Sequence, residues 1–143
     1  MLEAIIEAEK AIELAECPIG CVIVKDGKIL VRAHNLRLTR GNAIAHAEVI
    51  AIDKACRKIG DFRLCDCDMY VTLEPCTMCA GAILHARLAG VVYGCEDRLA
   101  GAVASRADVL DQGLAGRLAW HMGGVLARDC QELLQAFFAA RRG

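Results

Sequence analysis

The sequence predicts an α/β domain with three layers, α/β/α, in which helices cover both faces of a β-sheet. Segments with the apolar period of helices alternate with short apolar runs that are typical of buried strands. Their order, α-β-β-α-β-α-β-(β)-α, describes a hairpin followed by βαβ crossovers. Because such crossovers are right-handed, we expect the two central helices to lie on the same face of the sheet.

The first half of the chain contains a helix, a hairpin and a second helix. Residues 2–15 predict an amphipathic helix. Its apolar face comprises Leu2, Ile5, Ile6, Ile12 and Leu14. Asp26-Gly27 stands between two apolar runs and suits a type I′ hairpin turn. Residues 33–44 predict a polar loop, and a helix follows from about Ala45 to Ile59. The buried stripe of that helix is predicted to be Val49, Ile52, Cys56 and Ile59.

The second half contains alternating strands and helices around one long loop. Strands are predicted at 69–73, 90–93 and 120–122, and a helix opened by a proline at 75–85. Residues 94–116 carry four glycines and predict a long loop of the kind that often has a function. A terminal helix spans 129–142. Its apolar side comprises Leu133, Leu134, Phe137 and Phe138.

Length and composition limit the class of protein. A chain of 143 residues fits one domain, 1–143, with a core of its own. Its mean hydropathy is high, at +0.37, but no apolar run approaches the roughly 20 residues of a membrane-spanning helix. The acidic start lacks the basic segment of a signal peptide, so we expect a cytoplasmic protein without membrane attachment. The net charge of −1 gives no global positive field, although a local basic patch is compatible with it.

Four residues form the pattern that predicts chemistry. His46 and Glu48 stand at the start of one predicted helix, and Cys76 and Cys79 at the start of the next. Nine cysteines without a secretion signal argue against a disulfide framework, which leaves core packing, metal binding or catalysis. Two thiolates and one imidazole suit Zn²⁺, and three protein ligands leave the fourth position open, as in catalytic zinc sites.

The spacing of these residues predicts a hydrolytic deaminase. Zinc makes hydroxide available near neutral pH, and one carboxylate beside it can act first as base and then as acid. Glu48 is the candidate, although residues i and i+2 do not share a face on a regular helix. His-x-Glu followed at a distance by Pro-Cys-x-x-Cys is the signature of zinc deaminases that act on nucleobases.

Longer stretches around these motifs carry a family resemblance. They are Pro18–Val24, Ala45–Val49, Tyr70–Ile83, Val91–Gly94, Gly123–Leu126 and Phe137–Arg142. Together they make nearly the whole chain similar to the bacterial tRNA adenosine deaminases of the cytidine deaminase-like superfamily. The resemblance implies a mixed five-stranded sheet, a homodimer, a zinc cofactor and conversion of adenosine to inosine at the tRNA anticodon wobble position.

The same resemblance implies roles for residues outside the metal motif. Asn35 would contact the base or ribose near the zinc, and Asp97 would contact the ribose of the target nucleotide. The main-chain amides around Cys76 and Ala45 would help to orient the carbonyl-side groups. The sequence departs from the family's usual pattern at residues 42–44, 98–105 and 115–117. These departures leave the chemistry intact and bear on the identity of the substrate.

Three alternatives remain at this point. A closed structural zinc site would need a fourth ligand, for which Cys56, Cys65, Cys67 and Cys95 are the candidates. A deaminase of a free base or nucleoside, such as guanine or cytosine, would share every catalytic residue. A non-catalytic zinc module would have no chemical need for Glu48.

Overall fold

Five strands form one mixed sheet in the computed structural model, which describes residues 1–112, 117 and 119–142. The strands are β1 (Gly20–Lys25), β2 (Lys28–His34), β3 (Cys67–Leu73), β4 (Gly90–Cys95) and β5 (Trp120–Met122). Their order across the sheet is β2-β1-β3-β4-β5. β1 is antiparallel to both of its neighbours, whereas β3, β4 and β5 are parallel. The predicted α/β fold with a mixed five-stranded sheet is confirmed.

Helices cover both faces of this sheet. They are α1 (Leu2–Glu13), α2 (Arg37–Arg40), α3 (Ala47–Ile59), α4 (Thr77–His85), α5 (Val109–Gln112) and α6 (Ala127–Arg142). α3 contacts α4 on one face, and α1 contacts α6 on the other. The two crossover helices therefore share a face, as right-handed connections require.

The hairpin turn confirms the prediction from Asp26-Gly27. Both residues have positive φ, 52° and 73° respectively, as a type I′ turn requires. The turn joins β1 to β2, and β1 passes directly beside β3. The hairpin thus extends the sheet on the side away from β4 and β5.

The predicted first helix is present as α1, but its large apolar side chains are not the ones that it buries. Alanines 4, 8 and 11 are fully buried, whereas Leu2, Ile6, Ile12 and Leu14 are exposed. A Cβ added to Gly20 in β1 would lie 1.9 Å from the carbonyl oxygen of Ala4. The helix backbone therefore packs so close to the strand that only small side chains fit between them.

Two other helices also bury different faces from those predicted. In α3 the buried residues are Ala47, Glu48, Ile50, Ala51 and Ala55. The predicted stripe of Val49, Ile52, Cys56 and Ile59 lies beside them and is half-buried. In α6 only Cys130 is buried, and Phe138 is 48% exposed. Small residues again occupy the closest contacts, since a Cβ on Gly94 of β4 would lie 2.4 Å from the Cys130 sulfur.

The two segments predicted as loops contain short helices. Residues 33–44 include the end of β2 and all of α2, and the 94–116 segment includes α5. Of the departures from the family pattern, residues 115 and 116 lie outside the described residues. Among the residues that the structure describes, no helix has both the length and the apolar character needed to cross a membrane.

Candidate metal centre

Two of the predicted metal-binding residues lie at equivalent places in their helices. His46 is the N-cap of α3, with φ −74° and ψ 150°, and Cys76 is the N-cap of α4, with φ −77° and ψ 177°. An N-cap side chain usually accepts a hydrogen bond from the first turn of its own helix. Neither His46 nor Cys76 does so. Their side chains instead point toward each other across the gap between the helices.

The three candidate ligands have the spacing that zinc requires. The Nδ1 atom of His46 lies 3.7 Å from the Cys76 sulfur and 3.5 Å from the Cys79 sulfur. All three ligand atoms lie within 4.8 Å of one another. A tetrahedral Zn²⁺ with ordinary bond lengths holds a nitrogen and a sulfur ligand about 3.6 Å apart. Both nitrogen–sulfur distances therefore fit a shared zinc ion.

A fourth protein ligand does not complete this group. In the described part of the chain, His46, Cys76 and Cys79 are the one group of three or more potential ligands that the structure brings together. Cys56, Cys65, Cys67 and Cys95 do not join it. The geometry thus matches the open coordination of a catalytic site better than a closed structural site.

The two thiols of the centre differ strongly in acidity. Hydrogen bonds from the Cys79 thiol and from His46 lower the pKa of Cys76 to about 3 despite its partial burial. The pKa of Cys79 is raised by its hydrogen bond to Cys76 and by burial. One thiolate is thus present near neutral pH, and a cation would be needed to stabilise the second.

Glu48 reaches this centre because His46 lies outside the helix. His46 has extended backbone angles at the N-cap, so the rule that i and i+2 face apart on a helix does not apply to this pair. Glu48 is 4% exposed, and its carboxyl group contacts the Cys79 thiol. Burial raises the pKa of Glu48. A buried carboxyl with a raised pKa can take up and return a proton near neutral pH.

The other predicted site residues lie in two segments, one between β2 and α3 and one after β4. Ala45 is buried directly before His46, and its carbonyl oxygen accepts the N–H of Leu36 at 3.0 Å. Asn35 accepts the N–H of Arg37 through its side-chain oxygen at 3.3 Å. It lines a cavity of about 480 Å³ together with Arg37 and residues near the end of α6. The hydrogen bond between Leu36 and Ala45 thus brings the two ends of the segment between β2 and α3 together.

Asp97 lies just after β4, in a loop whose Gly101 pairs with Cys76. It lines a second cavity of about 1000 Å³. One oxygen of its carboxylate accepts the N–H groups of Leu99 and Ala100, at 3.0 and 3.1 Å. Its own N–H donates to the side chain of Glu74 at 3.2 Å. The structure thus places Asp97 at a defined position rather than in an extended loop.

Two buried glutamates near the site were not predicted. Glu16 accepts the N–H groups of Leu38 and Thr39, at 3.0 and 2.7 Å, and Glu74 accepts hydrogen bonds from the loop after β4. Burial opposes their charge, but these hydrogen bonds lower the pKa of both carboxyl groups. The sequence feature that could have indicated them is a glutamate just before a proline. Glu16 stands two residues before Pro18, and Glu74 stands directly before Pro75.

Comparison with known families identifies the pattern. The model of the cytidine and deoxycytidylate deaminase zinc-binding region matches residues 1–95, which include all four residues of the centre. The chain belongs to this deaminase family. The prediction of a zinc-dependent deaminase, a hydrolase acting on C–N bonds, is thereby confirmed, with His46, Cys76 and Cys79 as the candidate zinc site.

Individual relatives cover nearly the whole deaminase. A protein of Bacillus subtilis (strain 168) named tRNA-specific adenosine deaminase is 46% identical over 142 residues, 99% of this chain and 88% of the relative. A structure from studies of A-to-I editing by tRNA:A34 deaminases at the wobble position superimposes with a TM-score of 0.90. It is 40% identical and covers 94% of this chain and 97% of its own.

A guanine deaminase is similar to a lesser degree. The structure of the Bacillus subtilis guanine deaminase is 33% identical, with a TM-score of 0.65. The match covers 99% of this chain and 91% of that one. Both the identity and the superposition are lower than those of the tRNA:A34 deaminase structure.

Proposed function

We propose that this deaminase converts adenosine to inosine at the wobble position of a tRNA anticodon loop. The observation that supports this most is the zinc-type centre with a buried Glu48, in a chain similar over 99% of its length to a tRNA-specific adenosine deaminase. A wobble base lies in a single-stranded loop, so it can enter a pocket at a small cost in unstacking.

The proposed reaction consumes water and releases ammonia. Zinc in a three-ligand site supplies a Lewis acid that activates water at neutral pH. His46, Cys76 and Cys79 would hold it. Glu48 accepts the first proton of the attacking water and delivers it to N1 of adenine. It then takes the remaining proton from the hydroxyl group on C6 and passes it to the exocyclic nitrogen, so that the C–N bond breaks and ammonia departs. The carbon that carried the amine then carries the carbonyl oxygen of inosine.

Two adjoining cavities support a substrate larger than a free base. Cys17 and Phe138 line both the 480 Å³ and the 1000 Å³ cavities, so the two adjoin. Arg37 and Arg141 line the smaller cavity and carry positive charge toward a phosphate backbone. Phe138 offers a face on which a flanking base can stack. Asn35, Ala45 and Asp97 would contact the target nucleotide.

Deamination of a free base or nucleoside is the second candidate. Two observations favour it: the net charge of −1, and the departure from the usual family pattern at residues 98–105, which lie partly along the larger cavity. The similarity to a guanine deaminase is compatible with it. The tRNA:A34 deaminase structure, however, is more similar to this chain than the guanine deaminase structure is, both in sequence and in superposition.

The assembly and location of the protein are part of the proposal. We propose that residues 1–143 form a single deaminase domain that acts as a homodimer in the cytoplasm. The tRNA-specific relatives cover the whole of this domain, and no described helix could cross a membrane.

The deciding experiment is to give zinc-loaded protein an anticodon stem-loop RNA beside free adenosine, guanine and cytosine. We expect inosine in the RNA and no turnover of the free compounds. Turnover of a free base with untouched RNA would support the second candidate. Zinc binding without any turnover would favour a non-catalytic module. Glu48→Gln is the matched control, because it keeps the metal ligands and removes the proton carrier.

A further inference from the structure

The carboxylate of Glu74 is the centre of the loop that follows β4. It is 2% exposed, although it carries a formal charge. Its two oxygens accept the main-chain N–H groups of Asp97, Val103, Ala104 and Ser105, at 3.2, 3.1, 2.9 and 3.0 Å, and also the Ser105 hydroxyl. Main-chain amides and one hydroxyl, rather than a lysine or arginine, thus neutralise this buried charge.

The rest of the 97–105 loop packs closely against this carboxylate. A Cβ added to Gly101 would lie 2.4 Å from the carboxyl carbon of Glu74 and 2.5 Å from the carbonyl oxygen of Asp97. Only glycine therefore fits at position 101. The loop also pairs with the segment just before α4, because Ala102 donates its N–H to the carbonyl of Pro75 at 2.8 Å. The 97–105 loop is thus bound both to the Glu74 side chain and to the main chain of Pro75, just before α4.

We propose that Glu74 is a positioning residue, which folds the 97–105 loop and so fixes Asp97 near the start of α4, where Cys76 and Cys79 lie. The identity of the substrate in this inference rests on the proposed function. Glu74 acts through Asp97, since it binds the Asp97 N–H, while the Asp97 side chain holds the turn at Leu99 and Ala100. An adenosine presented by RNA would then meet a preformed carboxylate.

The central test is Glu74→Gln. Glutamine has nearly the same volume, but its NH₂ group would face main-chain N–H donors, so part of the loop would lose its acceptor. We expect one zinc per chain to be retained, KM for the anticodon stem-loop to rise about tenfold or more, and kcat to change much less. We expect the amides of residues 97–105 to exchange with deuterium at least about tenfold faster than in the wild type.

A double-mutant cycle with Asp97→Ala separates positioning from a general loss of structure. If Glu74 acts through Asp97, the double variant has nearly the same KM as the more affected single variant. If the two effects multiply, Glu74 does not act through Asp97 and the inference is wrong. Ser105→Ala removes only one donor and is expected to change exchange and KM in the same direction by less. If Glu74→Gln does not fold, Ser105→Ala is used for the same measurements.

Glu7→Gln is the matched control, because Glu7 is similarly buried at 4% exposure but accepts its hydrogen bonds from Lys10 and His34. We expect it to lower stability without accelerating exchange in the 97–105 loop. Wild-type exchange and KM in Glu74→Gln would overturn the inference. If wild-type protein deaminates no RNA, the proposed function fails, whereas the exchange comparison still decides whether Glu74 orders the loop.

Discussion

The Nδ1 atom of His46 lies 3.5 Å from the sulfur of Cys79, although the two residues belong to the starts of different helices. Strand β3 runs between those helices in the chain, and both helices cover the same face of the sheet. The metal centre therefore depends on two successive crossovers with the same hand. The strands that lead into these helices, β2 and β3, lie in one sheet on either side of β1.

Replacement of a metal ligand should remove zinc and lower stability together. We expect Cys79→Ala to lose most of its zinc and its activity, because a structural contribution of the metal is coupled to folding. Zinc per chain and the thermal midpoint are the measurements. Cys21→Ala is the control, because Cys21 is equally buried and packs in the core. Full zinc occupancy in Cys79→Ala would place the metal elsewhere.

Replacement of the proton carrier should separate binding from chemistry. Glu48→Gln is expected to keep its zinc and to lower kcat by about 10²- to 10⁴-fold, the usual value of general acid–base catalysis. Asp53→Asn, an exposed acid on the same helix, should leave kcat unchanged. Loss of metal from Glu48→Gln would mean that this carboxylate is a ligand.

Acid should remove the contribution of Glu16 to stability. Its pKa in the folded protein lies below the ordinary value of 4.5, so its stabilisation is complete above that pH and is lost as the pH falls through the lowered pKa. We expect Glu16→Gln to cost about 2–3 kcal/mol at neutral pH, because charged hydrogen bonds to Leu38 and Thr39 weaken. The difference from wild type in urea unfolding should shrink toward pH 3; a constant difference would contradict this.

Salt should report the contact of Arg37 with a nucleic-acid backbone. If this residue meets one phosphate, Arg37→Ala weakens binding of the stem-loop RNA and reduces the log–log salt slope by about one unit. Filter binding between low and moderate salt measures both quantities. Arg57→Ala is the control, since Arg57 is exposed and pairs with Asp53 on α3. An unchanged slope would remove Arg37 from the proposed RNA surface.

Glycine 81 offers a test of what covers α4. A Cβ at this position would meet no atom within 4 Å, and glycine inside a helix is unfavourable relative to alanine. We expect Gly81→Ala to stabilise the single chain by about 0.5–1 kcal/mol in urea unfolding. Destabilisation together with a smaller sedimentation coefficient would show instead that a second copy packs against this face.

The sequence was informative where chemistry depends on local spacing. Cys76 and Cys79 lie within one helical turn of each other, so their relationship could be inferred from the chain alone. The approach of Glu48 to His46 could not, because it depends on the extended N-cap conformation of His46. Element order and the Asp26-Gly27 turn could also be inferred, because apolar period and turn preference are local properties.

Packing faces and buried charges could not be inferred in this way. The apolar side chains of α1 are exposed because Gly20 admits only alanines beneath the helix, which depends on the distance between two backbones. Glu74 is buried because amides about 30 residues later in the chain surround it. No periodic pattern encodes either arrangement, since each depends on contacts between distant segments.

The N-cap positions of His46 and Cys76 limit how this protein can be engineered. Placing serine, threonine or aspartate at a helix start is a standard route to greater thermal stability. Here such a substitution at the start of α3 or of α4 would remove a ligand of the metal site, so this strategy cannot be used for these two helices. Selection for heat resistance must therefore act elsewhere, because the side chains at these two cap positions are the candidate metal ligands.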